Sequence, residues 1–356
     1  MTDMRAGVSF VVPVRNGEGS LSRVLDAIIA QHDGRPIEIV AVDDGSSDDS
    51  AAVLARYAAG GRVTVLSSEG HGAAAAINLA LRHVRHPIVC QVDQDVVVQP
   101  GWMARLVAAF SADEVGAAQG YYVAAPSATI WARVMGLDLQ ERYRRIRGAD
   151  VDHVCTGNSA YRVEALRRVG LFDETLGYGY DNDMSYRLAA AGYRLMFCRD
   201  AVSVHHWRDG VWGYLLQQYG LGYGRLDVIA KHRRHLAGDD VSGPGMILHA
   251  AATCLALVAL AAASLVRVAG YSGQGLALVA GGIVVVLVAE RGVVGTATAI
   301  RFRNRAGLFF APVHLLRDLA WSCAVFAWIA RRLTRRRRRP HHSMLTFSGL
   351  RRSRTP

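Results

Sequence analysis

Four apolar runs, at 8–14, 37–42, 63–66 and 87–92, alternate with stretches of helical spacing, and this alternation constrains the chain more than any other feature. Leu21, Val24, Leu25, Ile28 and Ile29 recur at the interval of a helix face between the first two runs. Helices over 49–58 and 73–84 separate the next runs. Strand, helix, strand in this order predicts an α/β, doubly wound sheet, which binds ligands outside the carboxyl ends of its strands. Those ends bring Pro13 to Asn16, Asp43-Asp44 and Asp93-Gln94-Asp95 to one rim.

Two carboxylates one residue apart at a strand end offer hard oxygen ligands to Mg²⁺ or Mn²⁺, ions that complete their shells with water and substrate phosphates. Alone, the pattern also fits a solvated turn. Asp43 to Asp48 read equally as a capping turn, because Asp, Ser and Gly favour helix starts. Asp181 and Asp183 precede a helix over 184–191, where they either cap the first turn or act as catalytic acids. His205 and His206 follow a short strand at 201–204; strand neighbours point to opposite faces, so one of the two serves a site or fills a structural role.

Taken together, Val-Pro-Val-Arg-Asn at 12–16, Val-Asp-Asp-Gly-Ser-Ser-Asp at 42–48, Asp-Gln-Asp at 93–95, and Gly170-Leu171-Phe172-Asp173-Glu174 with Tyr180-Asp181-Asn182-Asp183 resemble a family 2 glycosyltransferase. The order and spacing match over about 8–235. The resemblance implies a GT-A fold with a Rossmann-like mixed sheet, a nucleotide-sugar donor, a UDP-sugar in this reading, and inversion at the anomeric carbon. It assigns Asp95 to the metal, with Asp93 on the donor or the metal and His205 or His206 as a further metal or diphosphate contact. Asp44 falls on the uracil, with Pro13, Arg15 and Asn16 shaping the base pocket and Asn78 on the donor side. Asp181 falls on the catalytic base and Asp183 is the alternative. Gly157 and Asn158 line the acceptor side, and Gln218 and Arg225 touch acceptor or diphosphate. Tyr180 stands where the family usually has Glu, Ile77 where many relatives have a basic residue, and the Gln-x-x-Arg-Trp motif of processive synthases is absent. Within the family, Gln218-Tyr219-Gly220 and the apolar tail look most similar to exopolysaccharide glucosyltransferases of the succinoglycan type.

From Met246 the composition changes. The run 246–266 is long enough to cross a bilayer, which takes about 20 apolar residues. A shorter crossing at 273–289 closes on Glu290-Arg291, and 306–330 holds His314, Arg317 and Asp318, whose cost in hydrocarbon predicts an interfacial or re-entrant helix. Basic residues at 231–235, 291–305 and 331–339 mark cytoplasmic segments. The expected organisation is a catalytic domain over 1–240, starting almost at Met1 with no signal peptide, a membrane region over 241–333, and a disordered Arg-rich tail over 334–356. Localisation follows as a multi-pass inner-membrane protein with its catalytic domain in the cytoplasm.

The net charge of +11 is concentrated in this tail and points to anionic lipid head groups. No base-stacking module accompanies it, so nucleic acid is not an expected partner. Five scattered cysteines form no metal-ligand spacing or disulfide framework. Pro13-Val14-Arg15-Asn16 after the first strand is no Gly-x-Gly-x-x-Gly fingerprint, which sets aside a dinucleotide oxidoreductase. The expected function is transfer of a hexose to a polyprenyl-diphosphate-linked glycan in cell-surface polysaccharide biosynthesis. The alternatives are a polyprenyl-phosphate sugar synthase and a catalytically silent scaffold.

Overall fold

Residues 7–125, 129–236 and 238–334 are described by the computed structural model; the tail expected to be disordered lies outside them from residue 335 onward. In chain order the elements are β1 (Val8–Val14), α1 (Leu21–Ile29), β2 (Ile37–Asp44), α2 (Ser50–Ala59), β3 (Thr64–Ser68), α3 (Ala73–Leu81), β4 (Ile88–Val92) and β5 (Val96–Val98). There follow α4 (Trp102–Ala108), β6 (Val115–Ala124), α5 (Ile130–Arg145), β7 (Asn158–Arg162), α6 (Val163–Val169), α7 (Tyr180–Ala190) and β8 (Arg194–His205). The last four helices are α8 (Val211–Lys231), α9 (Pro244–Val268), α10 (Gln274–Arg301) and α11 (Phe310–Leu333). Contacts divide the chain into two units. One comprises residues up to Gly120 with Val154–Ser203, the other Tyr121–His153 with the chain from Val204, and the boundaries fall within β6 and β8.

The first unit holds the alternation read from the sequence. β1 is buried along its whole length because it pairs in parallel with β2 on one side and β4 on the other. Leu21, Val24, Leu25 and Ile28 are the buried face of α1, as their spacing predicts, each contributing about 1.5–3 kcal/mol of burial. Ile77 is likewise core, which explains an apolar residue in that position. The eight-stranded sheet has the order β3-β2-β1-β4-β7-β6-β8-β5. Beyond β4 the direction changes, since β7 runs antiparallel to both β4 and β6. This reversal sets Asn158, the first residue of β7, opposite Val92, the last of β4, so the turn at Asp93 and the approach to β7 become neighbours. The strand expected at 201–204 is the end of a longer β8, and α7 starts earlier than expected, at Tyr180, behind Gly179 in the left-handed region at φ +77°.

The second unit gathers α5 and α8 with the three apolar helices. Here α10 does not stop at Ala289 but runs on to Arg301. Arg291 turns inward, 2% exposed, and pairs with Asp318 of α11, so the charge that looked like a stop is satisfied inside the bundle. Charges are paired in the same way in the segment 306–330, read from the sequence as an interfacial or re-entrant helix. Arg317 lies 3.3 Å from Asp138 of α5 and 3.6 Å from Asp318, and His314 lies 3.7 Å from Asp138. The hydrocarbon penalty applies to charges that meet lipid without a partner, and these are buried and paired. Among the described residues three helices, α9, α10 and the segment Arg305–Leu333, are long and apolar enough to cross a membrane by length and composition. Leu255, Leu278, Val285, Val286 and Val293 are each more than half exposed, an apolar surface that suits hydrocarbon better than water.

Candidate active site

The acidic turn after β4 is held in shape by a glutamine one strand position away. Gln91 Nε2 donates to Asp93 Oδ1 at 2.8 Å, while Gln91 Oε1 accepts from the Gly157 backbone N–H. The Asp93 N–H completes the ring by donating to the Gly157 carbonyl at 3.2 Å. Gly157 has φ +88°, a conformation that favours glycine. Its place is thus beneath the acidic turn rather than along an acceptor groove. Asn158 is fully buried and accepts from Trp102 Nε1 at 2.6 Å, so the acceptor contact expected of it is corrected to a core anchor. Asp93 and Asp95 themselves remain half-buried, with access to solvent. This pair of hard oxygen donors fits a divalent cation.

The turns after β1 and β2 are knitted into one surface. Asn16, at φ +54°, accepts from Ser47 N at 2.8 Å and donates its own N–H to Ser46 Oγ at 3.0 Å. Gly17 N donates to Ser50 Oγ at 2.8 Å, and Asp49 N donates to Glu18 Oε2 at 2.9 Å. Pro13 is buried within β1 below this surface. Asp44 is 3% exposed and accepts from Ser68 Oγ, from His71 N at 2.9 Å and from Gly72 N at 2.8 Å, with the Arg15 guanidinium 3.6 Å away. Its carboxylate folds the 70–72 turn against β2.

Asn78 is also occupied with structure. Its Nδ2 donates to the Phe172 carbonyl and to Glu174 Oε1, both at 2.8 Å, and its Oδ1 accepts from Phe172 N at 3.0 Å. The residue clamps α3 to the 170–174 segment instead of touching donor. Asn78→Ala is expected to lower stability by about 2–4 kcal/mol, since it leaves a buried N–H and carbonyl unpaired. Thermal unfolding of the detergent-solubilised chain checks this, and an unchanged midpoint would refute it.

The start of α7 carries the other carboxylates. Asp181 is half-buried and accepts from Asn182 N at 2.9 Å, and its carboxylate lies within 4.8 Å of Cys155 Sγ. Asp183 is fully buried and held by Arg187 at 2.7 Å, and Arg187 also donates to the Val169 and Leu171 carbonyls. That ion pair anchors α7 to the 169–171 segment. Tyr180 meets Phe172 edge-on at 6.0 Å, and Tyr161 of β7 meets the same ring at 5.8 Å. Burial, followed by the charges of Asp93 and Asp181, pushes the Tyr180 hydroxyl well above its ordinary range, and it accepts a hydrogen bond from Thr156. A neutral phenol therefore stands beside Asp93 and Asp181 where the resembled family has a carboxylate.

In the second unit, Gln218 is buried and accepts from Trp321 Nε1 at 3.3 Å. Arg225 is buried and donates to Asp239 at 2.8 Å and to the Ser242 carbonyl at 3.3 Å. Both side chains, expected at the acceptor or diphosphate, bond here to α11 and to the 239–242 loop. His205 stacks edge-on against Trp207 at 3.8 Å and lies beside Tyr122 at 5.2 Å, and His206 is half-buried.

Residues 9–170 match the family described as glycosyl transferase family 2. The chain is 28% identical over 252 residues to the pre-mycofactocin glycosyltransferase of Mycobacterium tuberculosis, covering 67% of the chain and 51% of that protein. A shorter stretch of 121 residues is 41% identical to the undecaprenyl-phosphate 4-deoxy-4-formamido-L-arabinose transferase of Edwardsiella ictaluri, covering 33% of the chain and 35% of that protein. The chain thus spans about half the length of the mycobacterial relative, and less of the second. Among solved structures, the mannosyltransferase PcManGT from Pyrobaculum calidifontis, in complex with GDP-Man and Mn²⁺, superposes with a TM-score of 0.56 at 22% identity. The match covers 94% of this chain and 90% of that one, and shows a shared fold. The mixed α/β sheet is the GT-A sheet expected from the motifs.

Gln91, Gln94, Tyr161 and Thr156 went unread in the sequence. Only Gln91 left a trace there, as a polar residue inside an otherwise apolar strand.

Proposed function

We propose that this chain is an inverting glycosyltransferase that moves a hexose from a UDP-sugar to a polyprenyl-linked acceptor at a membrane. The observation that carries the reading is the convergence, in one unit, of the knitted 15–18 and 46–50 turns, the half-buried pair Asp93 and Asp95, and Asp181 at the start of α7. Asp95, with Asp93, would hold Mg²⁺ or Mn²⁺, which when bound neutralises charge on the diphosphate leaving group. The turns at 15–18 and 46–50 seat the nucleotide, and the Gln91 and Gly157 bonds fix where the donor's charged end rests. Asp181 takes the proton from the attacking acceptor hydroxyl on the opposite face. The three apolar helices support a lipid-linked acceptor presented at the membrane, with the catalytic unit on the cytoplasmic side and anionic lipids around the basic flanks.

The Edwardsiella relative, named for undecaprenyl phosphate, supports a second reading in which the acceptor oxygen belongs to a lipid phosphate. Such an oxygen is already ionised and needs no base. Of these relatives' names, the Edwardsiella one supports a polyprenyl acceptor, and neither supports the succinoglycan-type likeness.

Membranes containing the protein, given a panel of nucleotide sugars with Mn²⁺ or with chelator, test the proposal. Metal-dependent release of one nucleoside diphosphate, with label entering lipid, is expected. Label entering added undecaprenyl phosphate would select the second reading, and absence of turnover with every donor would overturn both. Asp95→Ala is expected to abolish the gain in UDP affinity on adding Mn²⁺, measured by titration calorimetry. An unchanged gain would remove Asp95 from the metal.

A further inference from the structure

We propose that Gln94, the middle residue of Asp93-Gln94-Asp95, is a positioning residue that locks the nucleotide turn to the metal turn. The inference rests on the functional reading above. Gln94 lies between the two carboxylates, yet its side chain serves another segment. Its Oε1 accepts from the Arg15 backbone N–H at 2.6 Å, and its Nε2 donates to the Arg15 carbonyl at 2.8 Å. The amide of one side chain thus pairs with both polar groups of one backbone residue, as a neighbouring strand would. A second tie lies alongside, where Ser20 Oγ donates to the Gln94 carbonyl at 2.8 Å. Both bonds come from the segment between β1 and α1, and both end on the acidic turn.

The local sequence is fitted to this arrangement. A Cβ on Gly17 would meet Gln94 Oε1 at 2.5 Å and Gln94 Cδ at 2.7 Å, so the glycine gives the amide its room. Glutamate at 94 would keep the acceptor for Arg15 N but set a carboxylate against the Arg15 carbonyl, and asparagine is one methylene shorter. Only a neutral amide of glutamine's reach satisfies both groups of Arg15. The consequence is functional. Arg15 N and O belong to the turn that seats the nucleotide, and Gln94 shares its backbone with both metal carboxylates. Fixing one therefore fixes the other, so donor and cation meet parts already placed relative to each other.

Two variants of the full-length protein break the lock from opposite sides. Gln94→Ala removes the amide, and Gly17→Ala displaces it without altering the acidic turn. In each, the half-saturating Mn²⁺ concentration and the KM for donor are expected to rise about tenfold, the scale of losing two hydrogen bonds that order a binding surface. At saturating Mn²⁺ and donor, kcat is expected to stay within about threefold, because the base lies on α7 and its geometry is unchanged. UDP and Mn²⁺ alone serve as probes for binding, so the test stands without knowing the acceptor. Wild-type Mn²⁺ dependence with unchanged half-saturation and KM in the variants, even if melting is lowered, overturns the positioning role alone. Wild-type UDP binding that is indifferent to Mn²⁺ overturns this role together with the functional reading beneath it. If one variant fails to fold, the other decides.

Discussion

Asp181→Asn should lower kcat by about 10²–10⁴-fold while leaving UDP affinity and its Mn²⁺ dependence in place. The loss is expected to be this large because no nearby carboxylate in the same helix can replace it. Asp183, two residues on, is fully buried in its pair with Arg187, which is itself committed to the Val169 and Leu171 carbonyls. Asparagine preserves the shape of Asp181 and its acceptor for Asn182 N, so α7 should start as before. The contrast variant is Asp183→Asn, expected to weaken folding first, through the uncompensated Arg187. Single-turnover transfer to a hydroxyl acceptor, with parallel UDP titration, reads the difference. Full activity in Asp181→Asn would refute the base. Activity retained with undecaprenyl phosphate but lost with a hydroxyl acceptor would mean that the enzyme takes a lipid phosphate.

The neighbouring Tyr180 bears on the same carboxylate. A Glu there would add a third negative charge beside Asp93 and Asp181, and like charges disfavour ionisation of one another. The phenol fills the position as a neutral group, wedged against Phe172 and bonded to Thr156. Where the resembled family has an acidic residue, this chain thus has a buried phenol held by Phe172 and Thr156.

Periodicity made the parallel half of the sheet legible, because β1, β2 and β4 are buried on both faces and read as unbroken apolar runs. The antiparallel half was not legible. β7 reads Asn-Ser-Ala-Tyr-Arg, and its polar members are buried by partners that no local pattern announces, such as Trp102 for Asn158. The site divides the same way. Motif order located the acidic turn, the two nucleotide turns and Asp181, yet could not say which polar groups face ligand and which are spent on backbone. Asp44, Asn78 and Asp183 look like ligand residues by type, but their acceptors and donors close loops. Gln94 shows the converse, as a residue skipped between two acids whose bonds reach Arg15.

The apolar half of the chain makes the sharpest prediction about stability. Asp318→Ala should destabilise the protein by about 3–5 kcal/mol, because it strands the buried Arg291 and leaves Arg317 with Asp138 alone. Helix contacts inside membranes are often worth less than this, since separated helices find other partners. Here the deletion leaves a guanidinium 2% exposed with no carboxylate at its former place, and an unpaired charge at such depth is costly. The double replacement Arg291→Met with Asp318→Leu removes both charges and restores apolar packing, and should recover most of the loss. Thermal melting in detergent of the wild type, Arg291→Met, Asp318→Leu and the double variant closes the mutant cycle. Additive losses in the double variant would mean that the two side chains do not act as a pair. Recovery would show that the charges interrupting the apolar run at 290–291 and 317–318 belong to the inside of the bundle, and would remove the reason for keeping α11 out of the membrane.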